Sequence, residues 1–374
     1  TRVENRHVRR FYTDWLDAKK YSRGQTIFKR HPLNFVLTWH FSLVMGFCVK
    51  PLLEALVFTG NSSTPQSSLK RYIKTYLYLA EWHLCGDMFD SKSRAFQSVQ
   101  TVRRIHDTVR GNMEKSMPKQ KWMTQYDMCL VQTGFMGALV VTPQAFGLHL
   151  TSSEIDDYVY FWKCVARQLG VMDKYNLCGV DYKTSESITW EVIDNVVIPS
   201  EVTVPEPDYD TIVNAYVDGA NSVFPLVKLW SSRAMNAYTY HSLGKKMPGP
   251  KLGCSDRLRL FFYKVLIFLI RWAPGVALLG NALVLCATYA LIHNDKKIRD
   301  DDEGGTCPVV GRTKTKNCPR KISSQRQESR LTRIFRGLGL LFGSIVFFIL
   351  ILFWISLVLF GFGYALRKLY FLFV

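Results

Sequence analysis

Two long apolar runs near the end of the chain limit what it can fold into. Residues 337–366 carry no charge over thirty positions, and residues 273–292 carry none over twenty. A hydrocarbon core roughly 30 Å thick is crossed by about 20 apolar residues in a helix. Soluble helices rarely hide apolar side chains on every face, so both runs read as transmembrane helices, at 273–293 and 337–366. Pro274, Gly275, Gly280 and Asn281 dilute the first run, and a buried helix of a large soluble core is its alternative. The expected class is an all-α membrane protein with a large N-terminal domain. The apolar stretch 33–49 contains Asn34 and His40 and stops at Lys50, so it reads as a buried or membrane-resting helix. The chain begins at Thr1, which leaves a removed signal peptide open.

Formal net charge is +18, from 48 Lys and Arg against 30 Asp and Glu. Such a balance raises nucleic acid as a partner, but no recognised nucleic-acid motif accompanies it. Part of the excess flanks the apolar runs instead: Arg257, Arg259, Lys264 and Arg271 precede the first, Arg330, Arg333 and Arg336 the second, and Arg367 and Lys368 follow it. Juxtamembrane cations meet anionic lipid head groups. Membrane lipids are therefore the expected partner, and nucleic acid is not. Nine cysteines stand singly without a CxxC pair, which argues against a disulfide scaffold; a Cys307–Cys318 bridge is one pairing among many. No zinc spacing, Gly-rich phosphate loop or GxSxG elbow occurs.

The N-terminal domain reads as helical almost throughout, with 3- and 4-residue apolar spacing broken by turn signals. Breaks are expected at 61–68, at 90–92 and at 111–118. Thr151-Ser-Ser-Glu154 has the form of a capping box, opening a helix through Tyr158, Phe161, Trp162, Val165 and Leu169. Residues 196–205 lean toward β and hold prolines, so an extended connector is expected, with helix resuming over 208–243. The segments follow as an N-terminal extension (1–32), a helical domain (33–244), a linker and juxtamembrane stretch (245–272), a first span (273–293), a charged and disordered loop (294–336), a second span (337–366) and a short tail (367–374).

Two segments carry chemistry. In Leu69-Lys-Arg71-Tyr-Ile-Lys74-Thr75, helical spacing places Arg71, Lys74 and Thr75 on one face. A solvated face has the same appearance. In the second segment, His106 lies four residues from Val102, seven from Val99 and three from Val109, inside an apolar stripe with Arg103, Arg104 and Arg110 on other faces. A hydrogen-bonded core histidine would sit there too. Burial keeps an imidazole neutral and leaves a lone pair for a metal, as an axial ligand to haem iron requires.

Together these segments resemble the catalytic domain shared by latex-clearing protein (rubber oxygenase) and the ER-bound oxygenase MpaB. The matching residues are Arg71-x-x-Lys74-Thr75, then His106 within "VRRIHDTVRG", "DMCLVQTGF" at 127–135 and the stretch 150–173. The resemblance implies an all-α, globin-like domain holding one haem b, which cleaves C=C bonds of isoprenoid-like chains with O2. Carried over by position, His106 is the proximal iron ligand and Lys74 lies on the distal side. Arg71 and Thr75 help bind the haem, with a guanidinium suited to a propionate, and Glu54 is the candidate catalytic base. Tyr72, Tyr76, Tyr78, Trp82 and Phe89 are placed to line a channel for a lipophilic unsaturated substrate, or simply to pack a core.

The expected function is thus a membrane-anchored haem-dependent oxygenase of the endoplasmic reticulum or another endomembrane. Its rival is a haem- or lipid-binding membrane protein without turnover, a sensor or carrier; a scaffold that has lost haem is a third reading. Twelve Lys and Arg in the loop 294–336 would place that loop in the cytoplasm by the positive-inside tendency. The domain would then be lumenal, where the sequon Asn61-Ser62-Ser63 could be used.

Overall fold

Prolines and capping side chains punctuate the chain. In the computed structural model, which describes residues 15–203, 208–223 and 228–300, the secondary structure among those residues is helical, without strands. The α-helices are α1 (Ala18–Arg30), α2 (Pro32–Gly46), α3 (Lys50–Thr59), α4 (Pro65–Leu84), α5 (Arg94–Ser116), α6 (Gln125–Val141), α7 (Ser152–Gln168), α8 (Tyr182–Val192), α9 (Ile198–Val202), α10 (Tyr209–Asn221), α11 (Ser232–Ser242), α12 (Cys254–Trp272) and α13 (Pro274–Asp300). Local chemistry explains their starts. Pro65 stands at the first position of α4 behind a Thr64–Ser67 capping box, and Ser93 caps α5 by accepting from Phe96 N at 3.0 Å. Thr151 Oγ1 accepts from Glu154 N at 3.2 Å while Glu154 Oε2 accepts from Thr151 N at 2.9 Å, so the expected capping box opens α7.

Helix α2 is the buried axis of the domain, with α6, α11 and α13 packed on it. Phe35, Leu37, Trp39, Phe41 and Val44 on several of its faces are all buried, so the stretch 33–49 is a core helix with a short turn at its end. Its polar side chains are internally satisfied, as burial demands: Asn34 Nδ2 donates to Phe146 O at 2.7 Å and Thr38 Oγ1 to Asn34 O at 2.7 Å. Helix α1 lies against α7. A Cβ on Gly24 would stand 2.2 Å from Asp157 O, so only glycine permits this approach. Arg23 then forms a two-pronged ion pair with the buried Asp157, at 2.7 and 2.8 Å. The helix pair α4–α5 is clamped at one end, where the fully buried Glu81 carboxylate accepts from Arg94 Nε at 2.7 Å. Helix α3 packs across α5 and α6.

Several expectations need correction. Helix α5 runs through Gly111 and stops at Ser116, because one interior glycine costs only about 1 kcal/mol whereas the residue before Pro118 is disfavoured in the helical region. The expected extended connector at 196–205 begins as helix: a π turn at Ile193–Val197 leads into α9. Its wide turn accommodates Pro199, which has no N–H to return to the preceding turn. The single helix expected over 208–243 is two, α10 and α11, the second capped by Ser231.

The largest difference concerns residues 254–300. The stretch read as juxtamembrane is the helix α12, with Tyr263, Ile267 and Ile270 buried. The first apolar run is α13, and it packs along α2 and α4. Among the described residues, one straight helix, over Pro274–Asn294, is long and apolar enough to cross a membrane. The expected second span at 337–366, the charged loop from 301 onward, the tail, the Cys307–Cys318 pair and residues 1–14 of the extension lie outside the described residues. The described residues other than 220–223 and 228–229 belong to one unit.

Candidate functional site around Arg71 and His106

The α4–α5 pair carries the residues singled out in the sequence. Arg71, Lys74 and Thr75 are half-buried on α4, and Thr75 Oγ1 turns back to donate to Arg71 O at 3.2 Å. Arg71 reaches the end of α3, donating from Nη1 to Thr59 Oγ1 at 2.8 Å. Thr59 in turn donates to its own helix, with Leu56 O at 3.0 Å. Arg71 forms no ion pair among the described residues, and burial lowers its guanidinium pKa below the ordinary value. A shielded cation without a carboxylate partner is costly. The arrangement therefore favours an anionic group at this position.

His106 stands on α5, close enough to Arg71 to feel its charge. Burial pushes the imidazole down to about 4; Arg71 and Arg110 press the same way, against the pull of Asp107. The ring is neutral near pH 7. Its Nδ1 is enclosed and has no hydrogen-bond partner. One side of His106 borders a cleft of about 110 Å³, lined also by Arg103, Asp107, Arg110, Met128 and Gly170. Arg110 is tied to Asp107 at 2.6 Å, and Arg103 leaves the cleft with one net positive charge.

The other proposed residues lie on the neighbouring elements. Glu54 is half-buried on α3, with Oε1 3.9 Å from Lys50 Nζ one turn back. Lys74 is one turn beyond Arg71 on α4. The structure joins the end of α3 to Arg71 directly, through Thr59, and brings Arg71 and His106 within electrostatic reach. Thr59 was invisible to sequence reasoning, because nothing local distinguishes a threonine that ends a helix from one that receives a distant arginine.

Two glycines border the same helices without a packing reason. A Cβ on Gly111 of α5 or on Gly134 of α6 would meet nothing within 4 Å, and Gly134 is exposed in the middle of its helix. By contrast, a Cβ on Gly137 would come within 2.9 Å of Thr189. Mid-helix glycine costs about 1 kcal/mol relative to alanine. An open, uncompensated one leaves the backbone free for close approach by a ligand.

Two other buried histidines are not equivalent to His106. His83 Nδ1 donates to Leu79 O at 2.6 Å, and its ring is packed 4.4 Å from Phe161 and 4.7 Å from Phe28, centroid to centroid. His40 Nδ1 lies 2.6 Å from the Tyr216 hydroxyl, with Trp230 edge-on at 4.5 Å. Burial holds both at about 3. Each keeps a buried Nε2 without a partner, but neither lies beside Arg71 or borders the cleft at His106. Among the described residues no group of three or more His, Cys, Asp or Glu side chains could hold a metal ion, so a metal here would have to arrive within a larger cofactor.

The sequence model of the family described as "ER-bound oxygenase mpaB/B'/Rubber oxygenase, catalytic domain" matches residues 34–291. The chain belongs to this family of oxygenase catalytic domains. The match runs from α2 into α13, so α12 and most of α13 fall within the catalytic domain. No curated protein and no solved structure matches.

Proposed function

We propose that this member of the MpaB/rubber oxygenase family is a membrane-associated oxygenase with a globin-like haem b site between α4 and α5, acting on a C=C bond of a lipophilic, isoprenoid-like substrate. The observation that carries the reading is the half-buried Arg71 guanidinium, without an ion pair among the described residues, beside the neutral His106, whose Nδ1 has no hydrogen-bond partner. The donor set fits haem. An imidazole kept neutral offers a lone pair to iron, and a guanidinium short of an anion is suited to a propionate. The cleft at His106 holds only a few waters, so binding a planar macrocycle entails parting of side chains along the α4–α5 seam.

Haem supplies, when bound, the redox chemistry that activates dioxygen. The chain's own residues do the rest. His106 would offer its neutral imidazole to the iron. Arg71, held by Thr59 and backed by Thr75, would bind a propionate. Lys74, one turn beyond Arg71, would donate from its ammonium toward bound reactants. Glu54 accepts the substrate proton at its carboxylate oxygens. Apolar side chains around α3 and α4 keep water from the reacting double bond.

Oxygen uptake by the purified, haem-loaded protein with a short polyisoprenoid tests the reading. Uptake should be coupled to new aldehyde or ketone ends, and Glu54→Gln should lower turnover by at least tenfold without changing haem content. Haem retention without oxygen uptake across unsaturated lipids would favour the sensor or carrier instead.

A further inference from the structure

Helix α12 carries a long apolar face that the domain does not cover. Leu258, Phe261, Phe268 and Trp272 follow one another at intervals of three, seven and four residues and are 69%, 65%, 59% and 60% exposed. Val265 fills the gap on the same side. The opposite side, with Tyr263, Ile267 and Ile270, is buried. Arg257, Lys264 and Arg271 recur every seven residues, which places them in a row along one border of the apolar stripe. Leu278, 74% exposed at the start of α13, extends the same surface. Single exposed apolar residues mean little, but a continuous stripe of large ones marks an interaction surface.

We infer that the α12 stripe and its row of cations form a docking face for an anionic lipid bilayer, with α12 lying in the plane of the interface. The inference deepens the membrane-associated reading and rests on it. Charge selects the occupant. A row of three cations beside an apolar stripe complements anionic head groups above acyl chains, whereas two such faces from copies of this chain would set like charges against each other. The guanidinium of Arg271 stands 5.0 Å from the Trp272 ring, an aromatic–cation pairing suited to the head-group level.

Helix α13, next in the chain, is joined to the core on one side. Its Asn281 Oδ1 accepts from Leu33 N at 3.0 Å, at the start of the buried α2, and its Thr288 hydroxyl is hydrogen-bonded to the Tyr76 hydroxyl of α4. Those two bonds fix the side of α13 that meets the protein and leave most of its apolar surface uncovered. The same tether would hold α4, which carries Arg71, at a fixed distance from the lipid.

The full chain bound to phosphatidylcholine vesicles, with and without phosphatidylserine, tests this when the vesicles contain a diazirine-bearing lipid and labelled peptides are mapped by mass spectrometry. Label should appear at Phe261 and Phe268 and not at the exposed Tyr126 and Tyr175. Phe261→Glu with Phe268→Glu should remove label from α12, and Arg257→Glu with Lys264→Glu should abolish the gain given by phosphatidylserine. Vesicle-bound protein labelled only within 337–366 would overturn the docking face while leaving membrane association standing. Protein that stays off the vesicles would overturn both. Cross-links joining α12 of two copies, without lipid label, would assign the face to self-association.

Discussion

Arg71 is the residue where stability and function pull apart. Its guanidinium has a hydroxyl but no anion for company, so it burdens the ligand-free fold and is relieved when a carboxylate arrives. Replacing it with the similarly sized, apolar methionine should raise the stability of the haem-free protein by about 1 kcal/mol, read as an increase in urea midpoint at unchanged slope. The same change should weaken haem binding by roughly tenfold, the effect of one charge-assisted hydrogen bond. A solvated cation would give neither. Histidine burial sets a second expectation at this scale. His106 is depressed to about 4, and His40 and His83 to about 3, from 6.5. The unfolded chain therefore takes up more protons than the folded one as pH falls from 6.5 toward 3. Stability should be flat above about 6.5 and fall steadily through that window, a trend that urea midpoints at successive pH values will register. Of the site, the placing of Arg71, Lys74 and Thr75 along one helix was legible from periodicity, whereas His106, expected in an apolar stripe with Arg103 and Arg110 on other faces, shares its cleft with both of them and Asp107. Thr59 and the lack of an anion at Arg71 were not, since both depend on where α3 ends relative to α4.

At the scale of helices, the Thr151 capping box announced the start of α7, and Thr64-Pro65 and Ser93 start α4 and α5 in the same way, at or just beyond the expected breaks. Errors came where tertiary packing outweighed local preference. The β-branched run at 196–202 is helical because its neighbours are, and Gly111 sits inside α5. Gly111 and Gly134 then supply a test. Alanine at Gly134 should stabilise the haem-free protein by about 0.5–1 kcal/mol and hinder binding of haem or substrate if the backbone there is approached. Stabilisation with unchanged binding would place the ligand elsewhere. The α4–α5 clamp has the opposite signature: Glu81→Ala removes the buried partner of Arg94 and should cost about 3 kcal/mol, lowering the melting temperature together with haem retention.

Over the whole molecule, α13 keeps the length and composition expected of a transmembrane helix, with only 17% of its apolar window buried in the protein, while one side of it packs along α2 and α4. Apolar content reports only that a helix avoids water; Asn281, Thr288 and Gly280, where a Cβ would come within 2.6 Å of Leu33, mark the side of α13 that protein shelters. Removal of residues 255–374 should therefore expose α2 and α11 and yield aggregated protein, where a simple membrane anchor would leave a soluble domain. The central claim concerns the seam between α4 and α5. Its most direct test is the absorption spectrum and extractable haem of the detergent-purified full chain, wild type against His106→Ala. The wild type is expected to hold haem with a strong Soret band, and His106→Ala to lose most of it while keeping the helical far-ultraviolet signal. An unchanged Soret spectrum and full haem content in His106→Ala would contradict the account.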